Sequence, residues 1–221
     1  MIEKSTINFL TALKKNNNKD WFDKNKEKYL AAKKNVEEFT DELIASISKF
    51  DKSIAALTYK DCVFRIYRDI RFSKDKTPYK TNMGASISAG GKKDMKGGYY
   101  IHIDPASSFL AGGMWMPPSD QLKKIRQEID YNGKQLHKIL DNKDFKKLFG
   151  GFDKSKEYKL ARPPKGYDKD HPDVELLKFN SYVVWHEYSK KEVLSKNFEN
   201  EISKDAKIMK PLVDFLNRAI S

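Results

Sequence analysis

Hydrophobic positions recur at helical spacing towards both ends of the chain. Ile7, Leu10 and Leu13 predict a short helix over residues 5–15. A longer stripe predicts a helix over about residues 20–50 and consists of Phe22, Tyr29, Val36, Phe39, Leu43, Ile47 and Phe50. A similar stripe over residues 190–220 consists of Leu194, Phe198, Ile202, Met209, Val213, Leu216 and Ile220. Apolar stripes of this kind must pack against another element of the fold.

The hydrophobic period changes to two in the middle of the chain. Strands are predicted over residues 62–68, 81–88, 98–104, 107–116 and 181–189, where β-branched and aromatic residues are frequent. The first four are joined by short connections, so we expect them to pair antiparallel. Gly112 and Gly113 inside the fourth strand indicate a bulge or a close approach of another backbone.

Helical segments are also predicted between the fourth and fifth strands. Ser119 is a good N-cap for a helix that carries Leu122, Ile125 and Ile129, and shorter helices are expected at about 132–140 and 142–149. Residues 158–173 are rich in proline, glycine and charge, which indicates an ordered loop or docking arm. The fold class is therefore α+β. We expect a single domain over residues 1–221, with a mainly antiparallel sheet of about five strands flanked by long amino- and carboxy-terminal helices.

Composition narrows the class of protein. Cys62 is the only cysteine, which excludes an internal disulfide and any multi-cysteine metal site. The first residues do not have the pattern of a secretory signal, and no apolar run approaches the roughly 18 residues of a membrane span, so we expect a cytoplasmic protein. A net charge of +12 suggests nucleic-acid binding. We favour a solvated lysine-rich surface, because much of the lysine lies opposite the apolar stripes.

The segment 64–80 has the densest pattern of charge and aromatic residues. Its six cations are Arg65, Arg68, Arg71, Lys74, Lys76 and Lys80, and its two acids are Asp69 and Asp75, which gives +6 − 2 = +4. As a strand, it would place Arg65, Tyr67 and Arg71 on one face. Arg68 would share the other face with Phe64, Ile66, Ile70 and Phe72. A buried arginine is costly without a partner, so Arg68 should meet a carboxylate or a bound anion.

Two interpretations of segment 64–80 remain open at this point. Arginine suits bidentate binding of phosphate or carboxylate, so all six cations are candidate ligand-binding residues. Alternatively, they form an ion-pair network that ties the segment to Asp104, Asp170 and Asp173.

Candidate catalytic residues lie in the strand at 98–104. Tyr100, His102 and Asp104 share one strand face, and a His beside an Asp is suited to general-base chemistry or to holding a metal. The same residues would also form the ordinary polar face of a half-buried sheet. We take Tyr67, His102 and Asp104 as catalytic candidates and assign no residue to a metal.

The remaining histidines and motifs are less informative. His171 lies in an Asp-His-Pro turn, where a structural role is expected, and His137 is expected to be an inert surface residue. Phosphate-loop, dinucleotide-binding, zinc-protease and serine-hydrolase motifs are absent from the sequence. The sequence therefore identifies no cofactor.

Four long motifs carry a resemblance to a known family. They are FRIYRDIRFSKDKTPYKTNMGA, GGYYIHIDP, KGYDKDHPDVELLKF and NNNKDWFDKNKEKY. Together they closely resemble a widespread bacterial family of conserved hypothetical proteins, domain of unknown function 2461. The resemblance extends from about residue 9 to residue 216. It implies a single-domain unit and assigns no activity to any residue.

The functional expectation therefore depends on segment 64–80 and the His102 strand face. We expect an enzyme or binding protein for a small anionic ligand that carries phosphate or carboxylate. The alternatives are a nucleic-acid-binding or protein-binding module that uses the basic surface, and a purely structural ion-pair network.

Overall fold

The secondary structure consists of nine α-helices and four β-strands. The computed structural model describes residues Met1–Ser221. The helices are α1 (Lys4–Lys15), α2 (Lys19–Lys24), α3 (Lys26–Ile47), α4 (Tyr59–Cys62), α5 (Ser119–Leu140), α6 (Lys143–Phe149), α7 (Val174–Leu177), α8 (Lys190–Val193) and α9 (Phe198–Ile220). The strands are β1 (Met83–Ile87), β2 (Gly98–Ile103), β3 (Ser108–Met114) and β4 (Tyr182–Tyr188). None of the helices combines the length and apolar character needed to cross a membrane.

The four strands form one antiparallel sheet in the order β1-β2-β3-β4, which confirms the α+β class. Alternate residues of β2 are buried, namely Tyr99, Ile101 and Ile103, whereas Gly98, Tyr100 and His102 are partly exposed. The two faces of this strand therefore differ as the sequence predicts.

Of the five predicted strands, the one expected over residues 62–68 is absent, so that prediction is wrong. This stretch makes only isolated bridges, Val63 to Ala85 and Tyr67 to Tyr79. Cys62 ends helix α4, and segment 64–80 folds back on itself instead of extending along β1. Proline at position 78 has no backbone N–H, so a regular ladder cannot continue through it.

Helix boundaries differ from the predictions in three places. The helix expected over residues 20–50 is divided between α2 and α3 at Asn25, whose φ of −112° and ψ of 22° are not helical. The helix expected over residues 190–220 is divided into α8 and α9. In the opposite sense, the short helix expected at 132–140 is continuous with α5 through a kink at Asn132. The hydrophobic spacing continues through all three sites. It therefore could not show where a helix is interrupted and where it is continuous.

Contacts along the chain group its residues into two compact units. Unit 1 contains Met1–Asp94, Tyr100–Leu110 and Glu187–Lys204, and unit 2 contains Met95–Tyr99, Ala111–His186 and Asp205–Ser221. In unit 1, α3 buries its apolar stripe, and Phe39 stacks on Phe198 with ring centroids 5.6 Å apart. In unit 2, α5 buries Ile125, Ile129 and Leu136. The single domain expected from the sequence stays a prediction.

The glycine pair in β3 lies where other groups approach the backbone closely, as predicted. A Cβ on Gly112 would collide with the sulfur of Met209 and lie 2.8 Å from the carbonyl oxygen of Gly98. Gly113 has a φ of 112°, and a Cβ there would collide with the carbonyl oxygen of Tyr182. Both glycines are therefore needed for the packing of unit 2.

We expect Gly112→Ala to destabilise the protein by about 1–3 kcal/mol, since one of the colliding atoms is backbone and cannot move aside. Thermal unfolding would measure the effect, with Ala111→Ser as the neighbouring control because Ala111 is partly exposed. Equal melting temperatures for the Gly112 variant and the wild type would show that the strand relaxes without cost.

Candidate functional site

Segment 64–80 is a hairpin-like loop closed by backbone and side-chain bonds. Lys80 N donates to Ile66 O at 2.8 Å and Arg68 N donates to Pro78 O at 2.9 Å. Asn17 secures the returning arm, because its side chain donates to Tyr79 O at 2.8 Å and accepts from Tyr79 N at 3.1 Å. These bonds place the two ends of the segment side by side.

Arg68 finds its partner inside the segment. Its Nη1 lies 2.5 Å from Asp75 Oδ2 and donates to Thr77 O at 3.1 Å, with a further contact to Thr77 Oγ1. The guanidinium is 25% exposed, so it needed a partner, and the expected carboxylate is Asp75. Hydrogen bonds from Thr77 N–H and from Arg68 lower the pKa of Asp75 to about 2. The distant acids Asp104, Asp170 and Asp173 do not serve this role.

Two more cations of the segment also bond within it. Arg71 makes a bidentate pair with Asp69, at 2.9 Å from Nε and 2.6 Å from Nη2. This pair lowers the pKa of Asp69. Lys76 Nζ donates to Ile70 O at 3.0 Å. Both Arg71 and Asp69 are largely exposed, and exposed pairs of this kind contribute little to stability.

The side chains of the other three cations, Arg65, Lys74 and Lys80, donate no hydrogen bond within the chain. Lys80 differs from the other two because it is half-buried. Its Nζ lies 5.3 Å from the centroid of the Phe64 ring, and no carboxylate pairs with it. Burial, followed by the nearby charge of Arg65, lowers the pKa of Lys80. The lysine is therefore a partly desolvated cation whose neighbouring charge has the same sign.

Beside Phe64, the outer face of the sheet carries a row of aromatic side chains. The Phe64 and Tyr100 rings lie 6.3 Å apart, and Tyr100 OH lies 3.0 Å from His102 Nδ1. His102 in turn stacks on Phe109 of β3, with centroids 4.6 Å apart and planes 10° apart. The row therefore runs from Phe64 through Tyr100 and His102 to Phe109.

Burial sets the protonation of the Tyr100–His102 pair. Desolvation raises the pKa of Tyr100 to about 12 and lowers the pKa of His102, which the charge of Asp104 opposes only in part. Both side chains are thus neutral near pH 7. One hydrogen bond joins them at Nδ1, and Nε2 of His102 makes no hydrogen bond within the chain. The pair can accept a proton at one end and release one at the other.

The other two catalytic candidates, Asp104 and Tyr67, do not hydrogen-bond to the Tyr100–His102 pair. Asp104 Oδ1 accepts from Ala106 N at 2.8 Å and Ser107 N at 3.3 Å, so it shapes the β2–β3 turn and does not hydrogen-bond to His102. The Tyr67 ring lies 6.0 Å from Phe22, and its hydroxyl accepts from Lys26 Nζ at 3.4 Å. Tyr67 therefore belongs to the aromatic packing of the amino-terminal helices.

Sequence reasoning missed two His–Asp pairs in unit 2. His171 Nε2 lies 2.9 Å from Asp130 Oδ1, and Asp173 N donates to His171 Nδ1 at 3.0 Å. Both ring nitrogens of His171 are thus engaged, which agrees with its expected structural role. His137 Nε2 lies 2.6 Å from Asp173 Oδ1, a contact that the sequence did not indicate, and the expectation that His137 is inert stays a prediction.

A glycine inside helix α5 was the available signal for these pairs. A Cβ on Gly133 would collide with the Asp173 carboxylate, so the glycine permits the close approach. Together the two pairs fasten the loop before α7 to helix α5. No group of three or more histidine, cysteine or acidic side chains is arranged to hold a metal ion.

The Tyr100–His102 bond depends on Gly84 of β1. A Cβ on Gly84 would lie 2.6 Å from Tyr100 OH, so we expect Gly84→Ala to displace the ring and break the bond. The pKa of His102, followed by NMR of its ring protons, should change in this variant. Gly90→Ala is the control for a close glycine substitution elsewhere in unit 1, because the atoms nearest its Cβ belong to the Asp94 side chain and not to Tyr100. An unchanged His102 titration in Gly84→Ala would contradict the proposed dependence.

Comparison with known proteins confirms the resemblance carried by the sequence motifs. No curated protein and no solved structure matches the chain. One family model does match, that of the conserved hypothetical proteins DUF2461, over residues 5–215. Because this match covers nearly the whole length, the chain belongs to the conserved hypothetical protein family DUF2461.

Proposed function

We propose that unit 1 binds a small anionic ligand, carrying phosphate or carboxylate, where Lys80 and Arg65 lie beside the Tyr100–His102 pair. The observation that carries the proposal is the state of Lys80. It is half-buried, it has no acidic partner, and the charge that most affects it is another cation.

A half-buried ammonium without a counter-charge is unfavourable, since burial removes water without replacing its hydrogen bonds. An anion bound at Lys80 would supply the missing partner and would also screen Lys80 from Arg65. Arg68 contributes indirectly in this proposal, because its bonds to Asp75 and Thr77 keep the loop folded. Arg71 and Lys76 are already bonded within the segment and are not assigned to the ligand. Lys74, which is exposed, is left as a secondary contact.

The aromatic row suggests what happens to the bound ligand. The Phe64 ring is next to both Lys80 and Tyr100, so a ligand held by Lys80 lies near the phenol. When Tyr100 takes a proton from such a ligand, its own proton passes to His102 Nδ1 and the Nε2 proton passes to water, so the pair stays neutral throughout. We therefore assign proton transfer to Tyr100 and His102, and anion contact to Lys80 and Arg65.

The first test measures anion-dependent stabilisation. We expect inorganic phosphate, pyrophosphate or citrate to raise the melting temperature of the wild type by a few °C at concentrations well above Kd, as binding to the folded state requires. Lys80→Met keeps the length and apolar stem of the side chain but removes its charge, so the shift should disappear. Lys93→Met, at an exposed lysine, is the matched control.

Two results would count against the anion site. One is a wild-type melting temperature that none of the three anions changes. The other is an equal shift in Lys80→Met and the wild type, which would place the bound anion elsewhere. Arg68→Ala gives a useful contrast, because loss of the Asp75 bond should lower stability without anion.

The second test uses the lowered pKa of His102. A histidine with a lowered folded-state pKa binds fewer protons folded than unfolded, so stability rises with pH through the interval between that pKa and about 6.5. The stabilisation is fully present above this interval and is lost below it. We expect His102→Gln to flatten the pH dependence of the unfolding free energy below about pH 6.5. Identical slopes for variant and wild type would show that His102 does not titrate in this way.

A further inference from the structure

Unit 2 exposes a group of large apolar side chains after the end of β3. Trp115 is 66% exposed, Met116 44% and Leu160 36%. Tyr158 joins them, because Trp115 Nε1 donates to Tyr158 OH at 3.3 Å. We call these four residues the Trp115 surface. A tryptophan ring exposed beside further apolar side chains is typical of an interaction site.

The Trp115 surface is held in place by its backbone. Met116 has a φ of 45°, which is unfavourable for a residue with a Cβ, and its N–H donates to the buried Ser181 Oγ at 2.7 Å. The stretch that contains Tyr158 and Leu160 pairs with residues 178–180, through Asn180 N to Tyr158 O at 2.7 Å and Leu160 N to Lys178 O at 2.9 Å. The backbone that carries the Trp115 surface is thus ordered by bonds within the chain, without a bound partner.

The arm that carries Tyr158 and Leu160 is strongly basic. Residues 154–165 contain five cations, Lys154, Lys156, Lys159, Arg162 and Lys165, and one acid, Glu157, for a net +5 − 1 = +4. Lys159 is bound to Glu175 at 2.7 Å and lies over the Phe179 ring. The other four cations are exposed and form no ion pair, in contrast to the paired arginines of segment 64–80.

We infer that the Trp115 surface and its basic arm bind single-stranded nucleic acid, with bases stacked on the indole and phosphates on the unpaired cations. Proteins that bind single strands combine these two elements, an aromatic platform and a cationic track. The indole N–H is already bonded to Tyr158, so the ring offers its π face and not a hydrogen bond. Stacking requires only the π face of the indole, and it tolerates any sequence because every base also has a π face.

An acidic polypeptide is the competing partner for the same surface. Its carboxylates could also meet the four cations. We favour nucleic acid because the Trp115 ring, which is 66% exposed and whose N–H is already bonded, offers a flat face on which a base can stack, whereas a chain of carboxylates has no planar ring for that face.

The experiment measures fluorescence anisotropy of a labelled oligothymidylate about twelve nucleotides long. We expect the wild type to bind and its affinity to fall with salt, with a slope of about 0.7 per phosphate contacted. Trp115→Ala should weaken binding by about tenfold or more, and Trp115→Phe should retain most of it, because a ring is still present. The double variant Arg162→Ala/Lys165→Ala should lower the salt slope by about 1.4, or two phosphates.

The control is Lys14→Ala/Lys15→Ala, which removes the same charge from exposed positions on α1 in unit 1. It should bind the oligonucleotide nearly as the wild type does. Absence of binding at low salt, or equal losses in the control and in Arg162→Ala/Lys165→Ala, would overturn the inference. Polyglutamate that competes as strongly as unlabelled oligothymidylate would also overturn it in favour of an acidic polypeptide. If Trp115→Ala fails to fold, Trp115→Phe and the arginine–lysine variant still decide the question.

Discussion

The local partnership of Arg68 with Asp75 and Thr77 is the constraint on which the candidate site depends. A partly buried guanidinium must be paired, and the acid that pairs with Arg68 is Asp75, seven residues along the same segment. Satisfying it bends the chain back, so that the two ends of the segment, Phe64 and Lys80, come together. Local electrostatics thereby generates the contact between a cation and an aromatic ring from which the proposed anion site is built.

The strand β2 shows how one alternation serves both the core and the candidate site. Tyr99 and Ile101 are buried on one face, while Tyr100 and His102 on the other face are partly exposed to solvent. Partial burial is what lowers the pKa of the histidine and raises that of the tyrosine. A fully exposed pair would titrate normally, and a fully covered one could not meet a ligand.

Period two and helical spacing made four strands and most helices predictable. The N-cap expected at Ser119 was wrong, because Ser119 is already the first residue of α5 and Pro118 precedes it without a side-chain cap bond. Period also predicted which residues share a face with His102. It failed at 62–68, because only Val63 and Phe64 pair with β1, and the residues that follow pair with their own continuation at 78–80. Period could not show the contact of His137 with Asp173 either, since Asp173 lies 36 residues away and Gly133 in α5 is the one local sign of its close approach.

The position of β4 in the sheet has a consequence for how the protein folds. Strands β1 to β3 are joined by short connections, whereas residues 115–181, including three helices, separate β3 from its neighbour β4. The entropy lost on closing a loop grows with its length, so this pairing carries the largest closure cost in the sheet. We therefore expect the edge of β3 that receives β4 to be the last part of the sheet to be covered during folding, and an uncovered strand edge is open to pairing with another chain.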